Sequence, residues 1–132
     1  MVSTRGRYAL RVMIDLAMHQ TDGYIPMKDV AARQEISLKY LEQILPVLTK
    51  NGLVDAVHGK GGGYRLTKDP SEYRVGDILR LTEKDLAPVS CLAEGAKPCE
   101  KMDTCRTIGF WRGLNDVIFG YVDGHTLDEF LE

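Results

Sequence analysis

The stretch SLKYLEQILPVLTKNGLVDAVHGKGGGYRLT, residues 37–67, leaves few folds open. Ser37 is a favourable N-cap, so a helix is expected from Leu38. Asn51-Gly52 stops it after Lys50, because Gly readily takes the left-handed conformation of a helix C-terminus. Pro46 removes one backbone hydrogen bond inside that helix, and a local kink is expected there. Two short strand-like runs follow, LVDAV and YRLT. The segment between them, HGKGGG, is too rich in glycine and too basic to pack, so it reads as a projecting hairpin tip. Upstream, MKDVAARQEI reads as a short helix with Val30 and Ala31 facing inward, and EIS turns the chain. Two short helices joined by a tight turn and followed by a hairpin make a winged helix-turn-helix. The expected fold is mostly α with a small β-hairpin wing. In such a fold the second helix of the pair enters the DNA major groove and the wing rides on the backbone.

The wing has the chemistry for that partner. Backbone N–H groups at Gly61, Gly62 and Gly63 approach phosphates with no Cβ in the way. Lys60 and Arg65 add positive charge. A nucleotide-binding P-loop is excluded, since no Lys-Ser/Thr follows the glycines and no helix opens after them. Charge is also divided along the chain. Residues 1–68 carry ten Lys/Arg against six Asp/Glu, and residues 69–132 carry seven against thirteen, so +4 and −6 make the net −2. The basic half points to an anionic partner, with double-stranded DNA the leading one.

Around this centre stand further helices. Ser3 to His19 carries an apolar stripe through Ala9, Val12, Met13, Leu16 and Ala17. YRVGDILRLTE is another helix, with Val75, Ile78, Leu79 and Leu81 apolar. CRTIGFWRGLNDVIFGYV is a long one, and it is apolar over more than half its circumference. A helix so apolar in a small protein needs more than one neighbour, which implies a homodimer. Thr126 and Glu129 have the spacing of a capping box for a short terminal helix. The domain organisation expected is a DNA-binding unit over residues 1–70. A second part, 71–132, holds a sensor loop (about 86–105) and the dimerisation helix, packed with the first as one compact unit.

All three cysteines, Cys91, Cys99 and Cys105, lie between the last two long helices. An odd number does not close a disulfide framework. No apolar run is long enough for a membrane span, and the N-terminus lacks the apolar core of a signal peptide, so a cytoplasmic location is expected. Thiols stay reduced there, and metal or redox chemistry becomes the natural reading. Both iron–sulfur and zinc sites use such thiolates, usually with a fourth ligand. Glu100, Asp103, a partner subunit or an exchangeable small molecule are the candidates for it. His19, His58 and His125 are remote in sequence.

STRGRYALRVMIDLA, SLKYLEQILPVLTKNGLV, GKGGGYRLTKDP, VGDILR and FWRGLNDVIFGYVDGHTLDEFL each resemble, in order, segments of the IscR/NsrR/CymR family of bacterial transcription regulators, the Rrf-two superfamily. The resemblance implies a dimeric winged-helix DNA binder with a long helix crossing between subunits. It implies an iron–sulfur cluster, 2Fe–2S or 4Fe–4S, on Cys91, Cys99 and Cys105. DNA contacts carry over to Ser37, Lys39, Tyr40, Glu42 and Gln43. Gln43 suits adenine and Lys39 suits guanine or phosphate. Thr4, Arg5 and Arg7 would clamp the backbone without reading sequence. Three departures stand out. His58 replaces a wing arginine. Seven residues separate Cys91 from Cys99 but five separate Cys99 from Cys105, where the family's intervals are equal. Ile108 occupies the position of the family's ligand histidine. The alternative is a cluster-free regulator of the CymR kind, controlled by a protein partner or by thiol redox state. No Ser/His/Asp constellation or metal-hydrolase motif is present, so an enzyme is not expected.

Overall fold

The computed structural model describes residues 2–83, 85–97, 100–101 and 103–131. Five helices and one hairpin follow in the order α1 (Thr4–Met18), α2 (Met27–Gln34), α3 (Leu38–Lys50), β1 (Val54–Val57), β2 (Gly63–Leu66), α4 (Val75–Thr82) and α5 (Ile108–Asp123). Single 3-10 turns lie at Pro70–Glu72, Ser90–Leu92 and Leu127–Phe130. This is a winged helix-turn-helix with a long helix appended.

Local chemistry sets the boundaries. Ser3 Oγ accepts from Gly6 N and caps α1, and Ser37 Oγ accepts from Tyr40 N and caps α3. At the end of α3, Gly52 takes φ 78°. Gly52 N then donates to Thr49 O (3.1 Å) and Leu53 N to Leu48 O (3.0 Å), the paired bonds of a Schellman cap. Helix α3 runs through Pro46 without interruption. Between α2 and α3 the tight turn rests on Glu35, a non-glycine residue at φ 54°.

The Thr126–Glu129 capping box does not form. Thr126 Oγ1 donates to Asp128 instead, and Glu129 Oε2 lies 2.6 Å from His125 Nδ1. A capping box is present at Asp69 and Glu72, around the 3-10 turn there.

The core is built on α1. Val12, Met13 and Leu16 are fully buried and meet Leu41, Ile44, Leu45 and Leu48 of α3 and Val30 of α2. Ile78 of α4, Tyr73 and Leu127 belong to the same cluster, so both halves of the sequence share one core. The strands pair antiparallel with Val54 opposite Leu66 and Val57 opposite Gly63. A single residue, Ile25, adds a third strand position by exchanging two 2.8 Å bonds with Tyr64. Gly63 is needed at that crossing, because a Cβ there would stand 2.2 Å from Ile25 O.

Two polar clusters hold the frame. Asp15 is completely buried in α1, where Arg33 grips it with two bonds (3.0 and 2.7 Å) and Gln34 Nε2 adds a third (2.9 Å). Burial pushes the Asp15 carboxyl up, but the Arg33 and Gln34 bonds and the Arg33 charge outweigh it and hold it below the usual value. Arg11 then bonds both the carbonyl and the side chain of Gln34, so α2 is tied to α1 along its C-terminal turn. The second cluster is the Tyr73 hydroxyl under the wing. It accepts from Thr67 N (2.9 Å) and Lys68 N (3.2 Å) and donates to Leu53 O (2.8 Å).

Helix α5 is the exception to this packing. None of its residues is buried. Phe110, Val117 and Tyr121 are 66–68% exposed along one side. It meets α4 through Phe119 and Val122, and through Arg80, which makes a two-bond pair with Asp123 (2.7 and 2.9 Å). Among the described residues, no helix is long and apolar enough to cross a membrane.

Candidate nucleic-acid interface and cysteine segment

Helix α3 divides cleanly into two faces. Leu41, Ile44, Leu45 and Leu48 point into the core, while Lys39, Glu42, Gln43 and Pro46 are exposed. The exposed set recurs at steps of three and four residues and so forms one outward stripe. Ser37, the cap, is exposed beside it. Tyr40 is half-buried, its ring meeting Tyr8 of α1 edge-on at 5.4 Å, so it positions α3 as well as facing out. Thr4, Arg5 and Arg7 are all exposed on the first turn of α1. Arg5 and Tyr40 line one cleft with Ser3 and Glu83, which places the α1 terminus beside the start of α3.

In the wing, His58, Lys60 and Gly61 are exposed, Gly62 is half-exposed and Gly63 is buried against Ile25. The tip is closed by Gly62 N donating to Gly59 O at 3.0 Å. A Cβ on Gly62 would lie 2.1 Å from Val57 O, so this turn excludes larger residues. Arg65 lies over the Tyr24 ring at 4.4 Å and near Asp55 (3.9 Å), its partner across the strand pair.

The cysteine segment runs from the end of α4 to the foot of α5. Cys91 is half-buried in the 3-10 turn Ser90–Leu92, Cys105 is half-buried three residues before α5, and neither is in a disulfide. Cys99 lies outside the described residues. Thr107 is the neighbour that sequence reading missed. Its hydroxyl lies 3.4 Å from Cys105 Sγ, a contact in which either group can donate, and accepts from Trp111 Nε1 at 3.2 Å. Hydrogen bonding from the Thr107 side chain and backbone, with a smaller contribution from the Ile108 amide, holds the Cys105 thiol below its ordinary value. A thiol held this way suits a soft metal as a ligand. Among the described residues, no group of three or more His, Cys, Asp or Glu side chains is placed to hold a metal ion. His19 and His125 are engaged elsewhere, on the Asp15 carbonyl and Glu129, and His58 is at the wing tip.

A family model described as "Rrf2: Iron-dependent Transcriptional regulator" matches residues 2–132. The chain belongs to the Rrf2 family. Like this chain, the Rrf2 relative IscR of Photorhabdus laumondii is a match over nearly the full length, with 41% identity over 128 residues covering 97% of this chain and 77% of that protein. The solved structure of CymR, the global cysteine regulator of B. subtilis, superposes with a TM-score of 0.82 at 31% identity, covering 99% of this chain and 95% of that one. IscR of T. potens gives 0.74 at 34% identity, covering 99% and 85%. This Rrf2 protein is a transcriptional regulator of the IscR type, the role that the family description and its relatives' names give, and such regulators bind DNA rather than catalyse a reaction.

Proposed function

We propose that this regulator reads an operator as a homodimer and that an iron–sulfur cluster on Cys91, Cys99 and Cys105 controls its affinity. Residues 1–70 form the DNA-binding unit and residues 71–132 carry the sensor segment and the dimer helix. Lys39, Glu42 and Gln43 read base edges from the outward stripe of α3, with Ser37 and Tyr40 beside them. Thr4, Arg5, Arg7 and the wing residues His58, Lys60 and Gly61 hold the phosphate backbone and its groove, whereas the expected approach of Gly62 and Gly63 to phosphate is not open, because Gly62 N is taken by Gly59 O and Gly63 is buried against Ile25. A cluster bound to the thiolates supplies a redox-active group.

The observation that carries the sensor reading is the position of Cys105. A thiol held toward thiolate stands at the foot of α5, directly before the helix that lacks a buried residue. A second copy of α5 is the natural cover for Phe110, Val117 and Tyr121.

Anaerobic purification with iron and sulfide analysis tests the cluster. Visible absorbance is expected, and it is expected to vanish in Cys91→Ala, Cys99→Ala or Cys105→Ala. Colourless protein without iron contradicts it and favours the second reading, a cluster-free regulator governed by a protein partner or thiol oxidation. The close superposition on CymR supports that second reading. Sedimentation of Val117→Glu tests the dimer, with a monomer expected.

A further inference from the structure

The N-terminus of α1 is electrostatically unusual. Its first turn holds no acidic residue, and it carries Arg5 directly and Arg7 just after. Positive side chains there oppose the helix dipole, whose N-terminal end is itself positive. The missing anion comes from eighty positions away. Glu83, the residue that ends α4, places Oε1 2.7 Å from Ser3 N and 2.8 Å from Ser3 Oγ, and both donate to it. Ser3 Oγ also accepts from Gly6 N at 3.2 Å, so carboxylate, hydroxyl and helix amide form one chain of bonds. Gly6 supplies the room. A Cβ there would lie 2.1 Å from Glu83 Oε1, whereas its next neighbours, Glu83 Cδ and Thr82 Oγ1, stand at 3.1 and 3.2 Å. The seat is shaped for a carboxylate at this spot.

Glu83 also separates two surfaces. On one side it shares a cleft with Arg5 and Tyr40. On the other it lines a groove with Asp85, Pro88 and Ser90. We infer that Glu83 is a positioning residue for DNA binding. Its carboxylate completes the cap of α1 and so fixes where Arg5 and Arg7 meet the phosphate backbone, without touching DNA itself. The inference rests on the DNA-reading role proposed above for α3 and the arginines.

The prediction concerns salt dependence, which counts phosphate contacts and is insensitive to a merely structural cap. Full-length protein is titrated against a duplex selected from a random pool, by fluorescence anisotropy from 50 to 200 mM salt. Glu83→Ala and Gly6→Ala, one removing the carboxylate and the other expelling it, are each expected to flatten the slope of log K against log salt by about 1–2. Affinity at the lowest salt is expected to fall several-fold, with relative preference among sequences and the thermal midpoint near wild type. Glu83→Gln keeps an oxygen acceptor and is expected to recover part of the slope. Unchanged slopes in both Glu83→Ala and Gly6→Ala overturn the inference, as does a loss that only tracks falling thermal stability. Failure of the DNA-reading role shows differently: wild-type protein then binds no duplex, or Gln43→Ala leaves sequence preference intact.

Discussion

Removing one oxygen from Tyr73 tests the account of the wing. The ring is 2% exposed and its hydroxyl is saturated, with one proton donated to Leu53 O and two lone pairs taken by Thr67 N and Lys68 N. Thr67 Oγ1, 3.1 Å away, is not a donor to it, because its proton goes to Gly52 O at 2.8 Å. Tyr73→Phe keeps the ring and opens no cavity, so its cost is that of three hydrogen bonds. At about 0.5–1.5 kcal/mol each the loss spans about 1.5–4.5 kcal/mol. Thr67 and Lys68 are exposed, so water replaces part of the loss. The expected cost is therefore about 2 kcal/mol. With an m-value of about 2 kcal/mol/M, the urea midpoint falls by about 1 M with m unchanged. The melting temperature falls by about 6–10 °C. A variant within about 0.5 kcal/mol of wild type would refute the reasoning, because the hydroxyl would then contribute no more than an exposed one.

Further outcomes follow from the same geometry. Asp15 titrates below its ordinary value in the folded protein, so its contribution is complete above an unfolded pKa of about 3.9 and is lost as pH falls through the lower folded value. Urea midpoints of Asp15→Asn and wild type are expected to converge below about pH 4 and to separate above it. Gly63→Ala drives a Cβ into Ile25 O and should cost about 2–4 kcal/mol, read by thermal melting, with equal stability contradicting the crossing. In a protein whose only cysteine is Cys105, Thr107→Val is expected to move the alkylation profile to higher pH, since the side-chain hydrogen bond favouring thiolate is lost while the backbone amides remain. Gln43→Ala should relax discrimination at one base pair by about 1–3 kcal/mol, whereas an equal loss on every sequence would deny it a base contact.

Much of this fold is written in short-range signals. Ser37 as a cap, Asn51-Gly52 as a stop and the alternation of inward and outward residues on α3 all act within a few positions. The structure realises each of them. What escaped sequence reading depends on distant partners. Asp15 and Arg33 are eighteen residues apart and Ser3 and Glu83 are eighty, and no periodicity links them. Asp15 did leave a trace, an acid set between Val12 and Leu16 on an apolar stripe, which signals a charge that must find a counterion inside. Ile25 could not be read as strand because a single bridging residue carries no alternation. The Thr126–Glu129 box failed for a local reason: His125 competes for Glu129 and Asp128 competes for the Thr126 hydroxyl. The outward stripe of α3 was legible and is exposed, whereas Thr107 beside Cys105 had no sequence signal.

The two ends of α5 are held differently. After Gly124 the chain returns to the core, where Val75 N bonds His125 O (2.9 Å), Leu127 N bonds Tyr73 O (3.0 Å) and Leu127 is completely buried. Asp123 is pinned by Arg80 just before that return. The opposite end, at Ile108, follows the cysteine segment, and no residue of the helix itself is buried. Sixteen residues make a rod of about 24 Å, anchored at one end like a hinged beam. A push of about 1 Å at the cysteine end turns such a beam by only about 2–3°. In the homodimer proposed above, such a turn on each subunit would alter the spacing of two reading heads that have to keep step with the repeat of the double helix.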